Sequence, residues 1–304
     1  MTEHRAVTPT PEPPSPVGVA TMILAAARPR QWTKNLFVFV AMLFAGSWDR
    51  FGAVSAAFAI FCAVSGGIYM MNDIADREQD RLHPLKRRRP IASGRLSVRI
   101  ATAASILFVV GGVGAALVVG RVFAVITVIY VSLQIAYTFW LKHAVLLDVF
   151  CIAAGFVLRA MAGAAAIPAP NTVWLLVCTM QLALFLGFGK RRHELLSLGG
   201  GARSHRQALQ HYSEPFLDQL ISIVLGGLTV SYALYTITSE TARAHPHLVV
   251  TLPMVMYGIF RYLYLIHMEH KGGSPETILL EDRPMQINLA IWLVCVLAVM
   301  RFDH

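Results

Sequence analysis

The chain has 304 residues, 56% hydrophobic and only 14% charged, with a mean hydropathy of +0.58. An ordinary soluble domain carries about 25% charged residues, so the composition excludes a soluble globular enzyme, a disordered chain and a disulfide scaffold. Lys and Arg outnumber Asp and Glu by 26 to 17, a net charge of +9, which in a membrane protein gathers in cytoplasmic loops or faces anionic ligands.

The first 17 residues hold five prolines and no secretory signal core. They cannot bury enough apolar surface to fold, so 1–17 is expected to be a disordered tail and 18–304 one membrane body. Spanning runs of about 20 mostly apolar residues follow. Nine are found, at 34–49, 52–75, 98–119, 121–141, 145–166, 171–189, 216–238, 248–268 and 286–302. The first is short and takes in an amphipathic lead-in, Val17 to Lys34, lying on the membrane surface. The predicted fold is all-α, a polytopic bundle of nine transmembrane helices. Cys62, Cys151, Cys178 and Cys295 each fall within an apolar run, without metal-ligand spacing, and read as buried apolar side chains.

The cations give the orientation. Twenty of them, eight in the segment 76–99 alone, lie on the side shared by the N-terminus and the even-numbered connections. Only Arg50, Arg121, Arg243 and Arg301 lie on the other side, and Arg159 and Arg261 fall within spans. The positive-inside rule puts the N-terminus and the long charged loops in the cytoplasm and the C-terminus outside. Chemistry is therefore expected at the cytoplasmic helix ends of a plasma-membrane protein.

The second span ends in Asn72-Asp73-Ile74-Ala75-Asp76-Arg77-Glu78-Gln79-Asp80. Helical spacing puts Asp73, Asp76 and Asp80 on one stripe, with Asn72 one turn before Asp76. Carboxylates so close repel one another near a membrane interior, and hard oxygen ligands in that array suit Mg²⁺ held against a phosphorylated substrate. His83-Pro84-Leu85-Lys86-Arg87-Arg88-Arg89-Pro90 follows at once. Beside the acidic stripe, its cations suit phosphate oxygens left unneutralised by the metal. The membrane setting argues against nucleic acid as the partner of this basic run. Asp148 and Arg159 share roughly one helix face, and an arginine so deep is expected to pair with an acidic group or backbone carbonyls. Asp282 and Arg283 read equally as functional or loop-capping residues.

NDIADREQD followed by HPLKRRRPIASG resembles the first motif of the UbiA superfamily of intramembrane prenyltransferases. The segment from Arg28 to Asn35 is similar to the family's opening segment, and Tyr137 to His143 to its fourth connection. The resemblance implies a nine-helix bundle with a cytoplasmic site. Where the family carries a second acidic motif, DxxxD, this chain has Gly189-Lys190-Arg191-Arg192-His193-Glu194. A basic second site suits a monophosphate better than a Mg²⁺-bound diphosphate.

With LKHAVLLDV and Glu281-Asp282-Arg283-Pro284, the pattern is similar to one branch, the decaprenyl-phosphate phosphoribosyltransferases. That branch implies phosphoribosyl pyrophosphate as donor, a polyprenyl phosphate lipid as acceptor, and a product bound for cell-wall arabinan. Asp73, Asp76 and Asp80, with Asn72, would hold Mg²⁺ on the donor diphosphate. Lys86, Arg87 and Arg89 would contact donor phosphates. Lys34, Lys142, Lys190 and Arg191 would orient the acceptor or the 5-phosphate, and Asn35 and Tyr137 complete the substrate-binding set. An aromatic prenyltransferase shares the first motif but not GKRRHEL. A non-catalytic lipid-handling or transport protein predicts midplane charge pairs and repeated halves. Oligomeric state, a homo-oligomer included, is left open.

Overall fold

The computed structural model describes residues 16–167, 173–198, 207–269, 278 and 281–302, with no strand among them. The expected tail lies outside the described residues except for Pro16 and Val17, which open α1 (Pro16–Ala26). This helix carries no charge and is apolar all round, unlike the amphipathic lead-in expected there. Val19, Met22, Ile23 and Ala26 pack it against Met70, Ile91 and Leu96.

Arg28 then takes a left-handed conformation, φ 53° and ψ 66°, and Pro29 starts a 3-10 helix that runs to Phe39. Such helices rarely exceed three or four residues; this one has eleven. The chain continues as α2 (Val40–Ala45), closed by Gly46 at φ 62°, where only glycine is unstrained. After a turn at Trp48–Arg50 comes α3 (Phe51–Ala75). A 3-10 helix rises about 2.0 Å per residue and an α-helix about 1.5 Å, so Pro29–Ala45 reaches roughly 31 Å. It runs antiparallel to α3, since Arg28 pairs with Asp73 at one end and the Trp48–Arg50 turn joins Phe51 at the other.

Eight helices among the described residues are long and apolar enough to cross a membrane. They are α3 with its preceding turn, α5 (Val98–Val119), α6 (Arg121–Phe139), α7 (Leu147–Ala165), α8 (Val173–Leu198), α9 (Glu214–Thr238), α11 (Leu252–His267) with the 3-10 turn Pro246–Thr251 that leads into it, and α12 (Arg283–Phe302). Two short helices, α4 (Arg77–Leu82) and α10 (Glu240–Ala244), lie in connections. The expected first span, 34–49, is not one long helix, because the 3-10 stretch and Gly46 divide it. The other eight expected spans match helices, seven of them to within a few residues; the sixth, expected to end at 189, continues as α8 to Leu198, so Lys190, Arg191 and Arg192 lie within the helix and not in a connection.

Close packing depends on glycine at several contacts, the two tightest at Gly163 and Gly112. A Cβ on Gly112 of α5 would stand 2.4 Å from Val64 of α3, and one on Gly163 of α7 would stand 1.9 Å from the Val38 carbonyl. Small residues of this kind let membrane helices approach backbone to backbone. Two clusters fill the interior. Val38, Phe61, Phe123, Tyr130 and Ala162 form one; Val149, Phe185, Phe188, Leu217 and Leu265 form the other. Helix α7 contributes to both and so forms the spine of the bundle. Leu107, Val110 and Val118 of α5 are exposed outside, the apolar surface a lipid solvent would cover. One end of the bundle collects the acids and cations described next. The opposite end is closed by Phe44, Tyr232, Tyr235, Leu248 and Val296, with Trp292 packed against them.

Candidate active site

Helix α3 runs into α4 through Asp76. The Asp76 amide donates to the Asn72 carbonyl at 2.9 Å, and the Asp80 amide to the Asp76 carbonyl at 2.8 Å. The i to i+4 ladder thus survives the junction and keeps Asp73, Asp76 and Asp80 on one stripe. Asp73 and Asp80 are only 2% and 3% exposed, so charge there demands a partner.

Four cations from three segments supply it. Arg28 pairs with Asp73 and lies over the Tyr69 ring at 5.2 Å. Arg89 Nη1 lies 2.9 Å from Asp73 Oδ1 and 2.5 Å from Asp80 Oδ2, so the two carboxylates face each other across one nitrogen. Lys142, after α6, reaches Asp76 at 2.5 Å, and Lys86 stands 3.9 Å from Asp80. The loop that aims Arg89 inward is folded on itself. Arg81 donates to the Ala92 carbonyl at 3.1 Å and Arg95 to the Arg88 carbonyl at 2.6 Å. Arg87 is exposed.

The second expected site has a different character. Arg191 is 2% exposed and held by Asp148 at 2.8 Å and Glu194 at 2.5 Å. Arg192 pairs with Glu214 at 2.5 Å and Asp218 at 2.7 Å. The basic stretch on α8 is therefore largely neutralised by four carboxylates, two of them on α9. Tyr212 joins this network, accepting from the Leu146 amide at 2.7 Å and donating to Asp148 at 3.1 Å. Burial pushes its phenol up to about 12, so it remains a donor at neutral pH. The Leu146 backbone is held at φ 67°, a strained value for a branched residue. Tyr137, near the end of α6, is half-buried and lies within electrostatic reach of Arg191. With Lys142 on Asp76, the end of α6 and the turn after it connect the two clusters.

Lys34 and Lys190 are each half-buried. Asn35, expected to touch substrate, is fully buried and faces Arg159, Ser65 and Cys62. Asp148 pairs with Arg191 rather than Arg159. Asp282 accepts from the Met285 amide at 2.9 Å and pairs with Arg261 at 2.8 Å, which is the capping role. Arg203, Arg206 and Lys271 lie outside the described residues.

Among the described residues no three His, Cys, Asp or Glu side chains converge as a metal site. Each acid of the stripe instead faces a cation. The donor types nevertheless fit Mg²⁺, since Asp73, Asp76, Asp80 and Asn72 offer only hard oxygens.

The model of the UbiA prenyltransferase family matches residues 35–290. A decaprenyl-phosphate phosphoribosyltransferase of Mycolicibacterium smegmatis is 32% identical over 97% of this chain and 96% of its own. One of Corynebacterium glutamicum is 31% identical over 92% of this chain and 87% of its own. A solved UbiA homologue from Archaeoglobus fulgidus, bound to GPP and Mg²⁺, shares the fold with a TM-score of 0.71 at 21% identity, over 92% of this chain and 99% of that one. The chain belongs to the UbiA prenyltransferase family and is a membrane transferase of that kind.

Proposed function

We propose that the chain transfers the 5-phosphoribosyl group of phosphoribosyl pyrophosphate to a polyprenyl phosphate, decaprenyl phosphate by the name its relatives carry. Pyrophosphate is released and the product feeds cell-wall arabinan synthesis. The observation that supports this most is the pairing at the polar end. A carboxylate stripe is ringed by Arg28, Lys86, Arg89 and Lys142, whereas Arg191 and Arg192 of the basic stretch on α8 are already paired with carboxylates. The first cluster thus offers both hard oxygens and cations to a donor carrying a diphosphate and a 5-phosphate.

In this reading Asp73, Asp76, Asp80 and Asn72 hold Mg²⁺ with the donor. Bound there, the ion supplies Lewis-acid stabilisation of the departing pyrophosphate. Arg28 and Arg89 turn from the carboxylates to donor phosphate oxygens, where guanidinium forks bind well. Lys86 and Arg87, at the rim, meet the same phosphates. Lys142, Lys34 and Lys190 orient the lipid phosphate. One of its oxygens forms the new bond to the anomeric carbon from the face opposite the diphosphate. The anomeric carbon–oxygen bond breaks, and its electron pair leaves with pyrophosphate. The lipid phosphate is already anionic, so no strong general base is required. Arg191 acts from within the wall of the site, bracing Tyr137 and α7, and does not reach substrate.

The polar end faces the cytoplasm by the positive-inside rule. The eight long helices and the Pro29–Ala45 segment, about as long as the hydrocarbon core is thick, make nine crossings. The N-terminus then lies inside and the C-terminus outside. A transporter would need access from both ends, and the aromatic cluster around Tyr235 favours a site open at one end only.

The test offers purified protein in detergent two donor–acceptor pairs. Label passing from phosphoribosyl pyrophosphate to a polyprenyl phosphate, with none passing from a prenyl diphosphate to an aromatic acid, supports the proposal. The reverse pattern overturns it in favour of aromatic prenyl transfer.

A further inference from the structure

Arg159 lies deep within α7, 5% exposed, and no step of the proposed transfer uses it. Its Nε donates to Asn35 Oδ1 at 2.7 Å, its Nη1 to the Gly155 carbonyl at 2.8 Å, and its Nη2 to the Tyr130 hydroxyl at 2.7 Å. The guanidinium also lies over the Tyr130 ring at 4.7 Å and beside Phe156 at 5.6 Å. These partners are all neutral. A cation inside a membrane bundle is costly to keep, and an apolar side chain would fill the space without that desolvation. The arrangement therefore serves something other than filling.

What it joins is specific. Asn35 belongs to the 3-10 segment, Tyr130 to α6, and Gly155 with Arg159 itself to α7. Asn35 passes the connection on to α3, donating to Ser65 Oγ at 3.1 Å. Asn35 is wholly buried, so its side chain has one environment. A long 3-10 run has poorer hydrogen-bond geometry than an α-helix and needs support from outside. Seven residues before Asn35 stands Arg28, in its left-handed conformation, carrying a cation to Asp73. Lys34 is the immediate neighbour.

We propose that Arg159 is a positioning residue: through Asn35 it fixes the register of the 3-10 segment that brings Arg28 to the acidic end. Its effect on turnover rests on the transferase reading above; its effect on the segment does not.

Two readouts separate these. Hydrogen exchange of the full-length protein in detergent, without substrate, is measured for wild type, Arg159→Met, Asn35→Ala and the double variant. Exchange over residues 29–39 rises about tenfold in each variant while α8 and α9 stay unchanged, the pattern of local opening. With substrate, KM for phosphoribosyl pyrophosphate rises on the order of tenfold and kcat changes far less, the mark of lost binding rather than lost chemistry. The double variant is no worse than the more impaired single variant, as for residues acting through one contact. Arg159→Lys, which keeps the charge but not the fork, recovers part of the loss. Exchange that rises uniformly across the bundle, or single losses that multiply in the double variant, overturns the proposal. If wild type transfers nothing from this donor, the transferase reading fails, and the exchange data still decide the role of Arg159.

Discussion

Arg89 Nη1 stands 2.9 Å from Asp73 and 2.5 Å from Asp80, so one side chain neutralises two buried carboxylates seven residues apart on the stripe. Charges in such a setting are stabilising only while the set is complete, because a buried ion without its partner keeps the full desolvation penalty.

Removing that bridge has a predictable consequence. Arg89→Ala leaves Asp73 and Asp80 facing each other, and stability in metal-free detergent falls by on the order of 1–3 kcal/mol, discounted for the partial exposure of Arg89. Added Mg²⁺ replaces the lost positive charge. Thermal melts with EDTA and with Mg²⁺ are expected to show a larger metal-induced rise in Tm for the variant than for wild type. Equal rises would mean that the carboxylates do not take up the ion.

The Asp148–Arg191 pair is more deeply buried, at 0% and 2% exposure. Asp148→Asn removes one charge and leaves Arg191 to Glu194 alone. The expected loss is about 3–5 kcal/mol, the range for breaking a buried pair, read as a lower Tm and a lower yield of folded protein. An unchanged Tm would contradict the structural assignment of Arg191.

Tyr212 gives a pH signature. Its folded-state pKa is raised to about 12 by burial, against about 10 for an exposed phenol. Between those values the folded state holds a proton the unfolded state has lost, so stability declines as pH rises. The contribution is complete below about pH 10 and gone above about 12. Tyr212→Phe is expected to be less stable at pH 8 and to show a shallower alkaline decline in Tm. Parallel profiles would remove Tyr212 from the network.

Gly163 sets how near α7 lies to the 3-10 segment. A Cβ there meets the Val38 carbonyl at 1.9 Å, a backbone atom with little room to yield. Gly163→Ala is expected to destabilise by about 1–3 kcal/mol, as overpacking does, and to lower activity through the displaced segment. A Tm at the wild-type value would show that the two backbones can separate at no cost.

The spans and the acidic stripe were legible because both are periodic. Seven apolar runs end where helices end, α8 alone continuing past its run through the charged GKRRHEL to Leu198, and the spacing of Asp73, Asp76 and Asp80 survives the junction at Asp76. The form of the first segment was not legible, since nothing in PRQWTKNLFVF distinguishes a 3-10 helix from an α-helix. Arg28 falls within a recognisable motif, but its partner stands 45 residues away, beyond the reach of helical spacing. Its position just before Pro29, where the helical conformation is disfavoured, was the available signal. Arg191 and Arg192 read as cations open to phosphate for the same reason. Their partners Asp148, Glu214 and Asp218 lie on other helices, and only the fold brings them together. Asn35 read as a ligand because of its neighbours in sequence, whereas its side chain points to Arg159.

In the proposed reaction the acidic end, through Asp73, handles a metal-bound phosphoribosyl donor. The most direct measurement follows radiolabel from phosphoribosyl pyrophosphate into the lipid fraction, with polyprenyl phosphate and Mg²⁺, for wild type and Asp73→Ala. Labelling by wild type is expected to be abolished by EDTA and to fall by roughly 100-fold or more in the variant, the scale of losing an electrostatic group at the reacting centre. Labelling by Asp73→Ala at the wild-type rate, in the same metal-dependent manner, would contradict it.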